Sequence, residues 1–151
     1  MKSFSVIAIS LAALVLLIPP VFAQELPTAE KREGATYYVV LYTKFKAGKG
    51  DEAREIIYEH FWPTDKAIGR DVIPFDTMTG EWDHVVYFPL SDGPAELAWE
   101  MSPTEEKWTA AFAKQVGGMD KVEEIFQRFS DLVATSKTEI VMTKWSNSNK
   151  D

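Results

Sequence analysis

The 151-residue chain has no cysteine and only two histidines, His60 and His84. Without a thiol there is no disulfide, no thiolate nucleophile, no Cys-based metal site and no cysteine to acylate. The histidines are far apart in sequence and show no H-E-x-x-H spacing, so no metal-binding set is expected. Basic residues are also scarce, 16 Lys and Arg against 23 Asp and Glu, for a formal net charge of −7. An acidic chain with no basic stripe repels phosphate backbones, and nucleic acid is not expected as a partner. The loop Ala47-Gly-Lys-Gly50 lacks the upstream glycine and the Lys-Ser/Thr of a phosphate-cradling loop. No serine sits on a strand-to-helix elbow with a paired histidine. No cofactor is expected from these motifs.

Long apolar runs are limited to one. Lys2 is followed by an almost unbroken stretch from Phe4 to Ile18, closed by Pro19-Pro20 and by Val21-Phe22-Ala23. This is the pattern of a secretory signal (1–23) cut between Ala23 and Gln24. The run is too short to cross a bilayer comfortably and no second one follows. The expected address is therefore periplasmic or extracellular, with no membrane association after cleavage. Residues 24–34 are polar and aperiodic and read as a flexible lead-in, and 147–151 as a flexible tail. Between them, 35–146 reads as one domain, with neither repeat nor linker.

That domain is rich in aromatic residues, and its hydrophobic pattern changes period along the chain. Thr36 to Lys46 (TYYVVLYTKFK) has strand composition. Asp51 to Trp62 places Ala53, Ile56, Ile57 and His60 at helical spacing, and Pro63 ends or kinks that helix. Asp71 to Thr79 and Trp82 to Leu90 are two strands around Gly80-Glu81, a two-residue hairpin signal. Ser102-Pro-Thr-Glu105 is a capping box with proline at the first helical position. That helix runs to Gly117-Gly118, and Asp120 opens a second one with Val122, Ile125, Phe126, Phe129 and Val133 on its apolar face. Thr138 to Trp145 closes as a strand. The order β-α-β-β-α-α-β predicts an α+β, ferredoxin-like split βαβ fold with a four-stranded antiparallel sheet.

Right-handed crossovers would put all helices on one face of that sheet. The opposite face should then alternate to polar residues if it met water. It does not: Tyr38, Val40 and Tyr42 oppose Val39 and Leu41, and Val85 and Tyr87 oppose Val86 and Phe88. The sequence thus predicts a homodimer whose second copy covers the open face.

The element order, the stretch YTKFKAGKGDEARE, the strand DHVVYFPLSDG and the Trp-rich helical crossover resemble the dimeric α/β-barrel superfamily over about Ala35 to Trp145. That group includes antibiotic-biosynthesis-monooxygenase-like, NIPSNAP-type, EthD-like and polyketide-cyclase-like proteins. The resemblance implies a two-fold dimer enclosing pockets, in a group that ranges from cofactor-free enzymes to haem binders.

A two-residue turn would pair Thr77 with His84, Phe75 with Val86 and Ile73 with Phe88, and gather Phe75, Thr77, Trp82, His84, Val86 and Phe88 on one face. The superfamily's cyclases carry a pocket histidine on a strand, followed by an aliphatic residue at the second position. His84-Val85-Val86 is similar. By that likeness His84, Thr77 and Val86 line a cavity together with Val39, Leu41 and Thr43. The cyclases' second histidine, on the helical crossover, has no counterpart here. His84 and Thr77 are the candidates for chemistry, a lone imidazole in an apolar pocket being able to act as a general base or a ligand contact near neutral pH. Trp82, Phe75, Phe88 and His60 are candidate ligand contacts, although His60 continues an apolar helix stripe and reads first as a core position at the helix end.

Three functions remain open on this sequence. The first is an exported dimer that binds, and in one version transforms, a small apolar or aromatic molecule between helices and sheet. The second is a non-catalytic dimer with a filled interior. The third is haem binding through a histidine, for which no motif speaks. Whether the chain is an enzyme is left open.

Overall fold

The computed structural model describes residues 28–30 and 34–143. The signal reading of 1–23, most of the lead-in and the tail lie outside the described residues. The β-branched and aromatic stretch after Thr36 forms β1 (Tyr37–Phe45). Ala47-Gly-Lys-Gly50 breaks it, and α1 (Gly50–Ile56) follows, with Asp51 and Glu52 in its first turn where acids suit the helix dipole.

The helix does not stop at Pro63. It widens into a π-helical stretch, Ile57–Phe61, and continues as α2 (Trp62–Ala67) with Pro63 in the first turn. Proline has no N–H to give to the preceding turn, so the chain inserts one wide turn, in which the Trp62 N–H donates to the Ile57 carbonyl, and restarts.

Strands β2 (Ile73–Asp76) and β3 (His84–Leu90) form the hairpin. A 3-10 turn (Gly93–Ala98) leads to α3 (Pro103–Val116). The expected capping box is present: Glu105 N–H donates to Ser102 Oγ at 3.2 Å and Ser102 N–H to Glu105 Oε2 at 2.7 Å. Gly117, at φ 96°, closes α3 in the left-handed region. Then α4 (Met119–Leu132) starts from Gly118, not from an Asp120 cap, and passes directly into β4 (Val133–Met142). The last strand thus begins several residues before the expected Thr138, because Val133 continues the chain in extended conformation with no turn.

All pairings are antiparallel, in the order β2-β3-β1-β4, the ferredoxin-like arrangement expected from the element order. The core lies between this sheet and the helices, where Phe45 packs with Ala53, Ile56, Ile57 and Leu132. Each large aliphatic side chain buried there contributes roughly 1.5–3 kcal/mol.

One expectation about the hairpin fails. The loop is not two residues long but runs over 77–83, and the register is Asp76 with His84, Phe75 with Val85, Pro74 with Val86 and Ile73 with Tyr87. Asp83 is the cause. Its N–H donates to the Thr43 carbonyl and its Oδ2 accepts from the Phe45 N–H, so a side chain stands in for the next rung of the ladder and β3 begins at His84. A slip of one residue turns every side chain of β2 to the other face.

Candidate functional site

Strand alternation and direct contacts define the helix-facing side of the sheet. Thr43 and Asp76 flank His84 in the adjacent strands and share its face. Phe45 and His84 approach at 6.4 Å between ring centroids, and the Tyr58 ring meets His84 edge-on at 6.2 Å. Val86, Phe88 and Leu90 continue this face along β3, and Leu41 and Val39 along β1.

At the sheet edge, ending β2, is the partly exposed carboxylate of Asp76, a residue that the expected register puts on the opposite face. Oδ1 lies 3.0 Å from His84 Nδ1 and accepts from Arg54 Nε at 3.0 Å, while Oδ2 accepts from the Tyr58 hydroxyl at 2.8 Å. Arg54 and Tyr58 are four residues apart, so the helix carries both donors on one side, above the end of β2. Burial pushes the Asp76 carboxyl up, but the hydrogen bonds from His84, Tyr58 and Arg54 together hold it below its ordinary value. Burial, followed by the bond to Asp76, pushes Tyr58 up to about 12.

His84 is 1% exposed. Burial pushes its pKa down, and this outweighs the opposing pull of Asp76. An ionised carboxylate only accepts, so the neutral ring carries its proton on Nδ1 and its lone pair on Nε2. That Nε2 is buried and has no hydrogen-bond partner. A carboxylate-anchored imidazole with a free Nε2 can accept a hydrogen bond from a bound molecule or take a proton from it.

The structure brings only some of the expected site residues together. His84, Thr43, Val86, Leu41, Val39 and Phe88 share the helix-facing side. Thr77 does not pair with His84; its hydroxyl donates to the Trp82 carbonyl and its N–H to the Asp83 carbonyl, closing the hairpin loop. Trp82 lies in that loop with its ring 5.8 Å from Tyr42, a residue of the opposite sheet face. Phe75 has also turned to that face, half exposed, with its ring against Tyr87 at 5.8 Å. His60 belongs to the π-helical stretch, where its ring faces Phe112 at 6.4 Å and its carbonyl accepts from Thr64 and Gln115. Among the described residues no group of three or more His, Asp or Glu is placed to hold a metal ion, and no helix is long and apolar enough to cross a membrane. Asp76, Tyr58 and Arg54 were not among the expected site residues. The i, i+4 pair of polar groups on an otherwise sheet-facing helix was the available signal for two of them.

No family model matches the chain, and no curated protein matches it. Solved structures do. A NIPSNAP-family protein of unknown function from Agrobacterium tumefaciens superposes with a TM-score of 0.51 at 11% identity, covering 76% of this chain and 93% of its own. The fold is shared with a NIPSNAP-family protein. An uncharacterized NIPSNAP domain protein from Burkholderia xenovorans covers 77% of this chain and 99% of its own at 13% identity, with a TM-score of 0.45. At such identities the NIPSNAP likeness concerns architecture, and the chemistry has to be read from this chain's own side chains.

Proposed function

We propose that this protein binds a small, largely apolar molecule between its helices and the helix-facing side of its sheet, with His84 Nε2 as the polar contact. The observation that carries this reading is the asymmetry of His84. One ring nitrogen is held by Asp76, while the other is buried with no partner. A buried polar atom left unpaired costs about 1–3 kcal/mol, so a donor brought by a ligand would be bound with that much advantage. The surroundings suit an apolar body. Val39, Leu41 and Phe88 are only half-buried, and Ile140, opposite Val39 on β4, is 55% exposed, so this face is incompletely covered towards β4. If the bound molecule has an acidic proton, His84 is the base that would take it and Asp76 the group that would stabilise the resulting imidazolium.

The same reading includes export by the N-terminal signal and a homodimer formed through the opposite sheet face. That face carries Tyr38, Tyr87 and Phe75 in successive edge-on ring contacts at 6.0 and 5.8 Å, with Ile73 and Phe75 exposed at its edge. Exposed apolar surface of this kind favours association.

The test uses a neutral pair of probes, biphenyl and para-phenylphenol, titrated by fluorescence against the wild type and His84→Asn. The asparagine amide can replace Nδ1 as the donor to Asp76, but nothing replaces Nε2. Wild type should bind para-phenylphenol about tenfold more tightly than biphenyl, a preference the variant loses. A preference that survives in His84→Asn, or no binding of either probe, would mean that the interior is filled or the polar contact is elsewhere.

A further inference from the structure

Among the described residues three buried polar atoms have no hydrogen-bond partner: His84 Nε2, Asp65 Oδ1 and Arg70 Nε. The last two belong to the partners of one ion pair. Asp65, 4% exposed, lies in α2, and its Oδ1 is 3.7 Å from Arg70 Nη1, an ion pair just beyond hydrogen-bond distance. The loop between them is fixed by the Arg70 N–H donating to the Asp65 carbonyl at 2.9 Å. The guanidinium cannot swing freely to close the gap, because it is stacked 4.8 Å over the Phe88 ring.

Phe88 is on the same strand and the same face as His84, with Val86 between them. Four residues of strand put the two positions roughly 13 Å apart. A series of ring contacts that starts in β1 and runs through the helices connects the same two points. Phe45, beside His84, meets Phe129 at 6.3 Å, and Phe129 meets Phe61 at 5.2 Å. Phe61 in turn meets Trp108 at 6.1 Å, and the Trp108 side chain acts on the Asp65 carboxylate by a hydrogen bond. Both ends of one apolar layer thus hold unsatisfied polar atoms.

The atoms differ in what they require. His84 Nε2 and Asp65 Oδ1 each need a donor, and Arg70 Nε needs an acceptor. A hydroxyl is both donor and acceptor, so one such group placed in the open ion pair serves Asp65 and Arg70 together. We propose that the molecule bound on this face is an elongated apolar diol, with one hydroxyl donating to His84 Nε2 and the other donating to Asp65 Oδ1 while accepting from Arg70 Nε. The proposal rests on the reading of His84 above and adds to it a second polar subsite and a ligand class.

The test compares para-phenylphenol, with one hydroxyl, and para,para′-biphenol, with two, on the full chain. In the wild type the second hydroxyl should tighten binding about tenfold or more. The double variant Asp65→Leu/Arg70→Met replaces both charges by apolar groups of similar reach and leaves neither one unpaired. It should bind para-phenylphenol as the wild type does and lose the gain from the second hydroxyl, whereas His84→Asn should weaken both probes alike. Equal affinities for the two probes in the wild type, with para-phenylphenol still dependent on His84, would overturn the diol subsite and leave the first site standing; an ordered water filling the ion pair would give that result. Absence of His84-dependent binding of either probe would overturn both. The wild-type comparison decides the matter even if the double variant does not fold.

Discussion

Asp76 gathers three donors from three different places, β3, α1 and the π-helical stretch, and fixes which nitrogen of His84 is free. The arrangement has a consequence for pH. Because the folded-state pKa of His84 lies below its ordinary 6.5, the unfolded chain takes up a proton there before the folded one does. The contribution is therefore complete above about pH 6.5 and is lost as pH falls through that window. Asp65 acts in the opposite sense. Burial raises it to about 6, against the opposing Arg70 and Trp108, so its charging weakens the fold as pH rises through that value. The two are separated by difference: chemical denaturation at pH 7 and pH 5 should show wild type losing more stability on acidification than His84→Asn. Equal losses would remove His84 from the account. At this scale the sequence was only partly legible. His84 stands out as one of two histidines, but the expected register puts Asp76 on the wrong face, since nothing local shows that Thr77 pairs with Asp83 and not with His84.

At the scale of elements, the local chemistry that satisfies backbone groups was the most readable. The Ser102–Glu105 capping box was visible in four residues and is formed in full, because its donors and acceptors are supplied within one turn. Ser102→Ala should cost about 1 kcal/mol and lower the thermal midpoint by a few degrees, measured by circular dichroism. No change would mean that α3 is held by packing alone. Elements decided by distant partners were less readable. Pro63 reads as a helix end or kink from its own chemistry, and the helix restarts across it, held by the Thr64 hydroxyl, which donates to the His60 carbonyl at 2.8 Å and lies 2.9 Å from Gln115 Oε1 of α3. Trp82 and Phe75 show the same limit, since a strand's faces are fixed only when its register is.

For the whole molecule, the four-stranded sheet and the placement of its helices followed from the alternation of periods along the chain, and this is the level at which the likeness to the NIPSNAP-family structure agrees. The sheet has two apolar faces, and among the described residues the core cluster of helix residues packs on the Phe45 side. The reading of the second face as a dimer surface predicts that light scattering on the protein freed of residues 1–23 gives about twice the mass of one chain, and that Phe75→Lys shifts it towards the monomer. A wild-type monomer at micromolar concentration would refute that reading without touching His84, which lies on the other face.

The binding reading turns on one nitrogen atom, His84 Nε2, and 15N spectroscopy of the histidine side chains sees it directly. In the free protein at neutral pH, His84 should be neutral, protonated on Nδ1 and bare on Nε2. Addition of para-phenylphenol should move the Nε2 resonance towards the hydrogen-bonded position, while biphenyl leaves it in place. A proton already on Nε2, or an Nε2 signal that stays fixed while para-phenylphenol binds, would contradict the account.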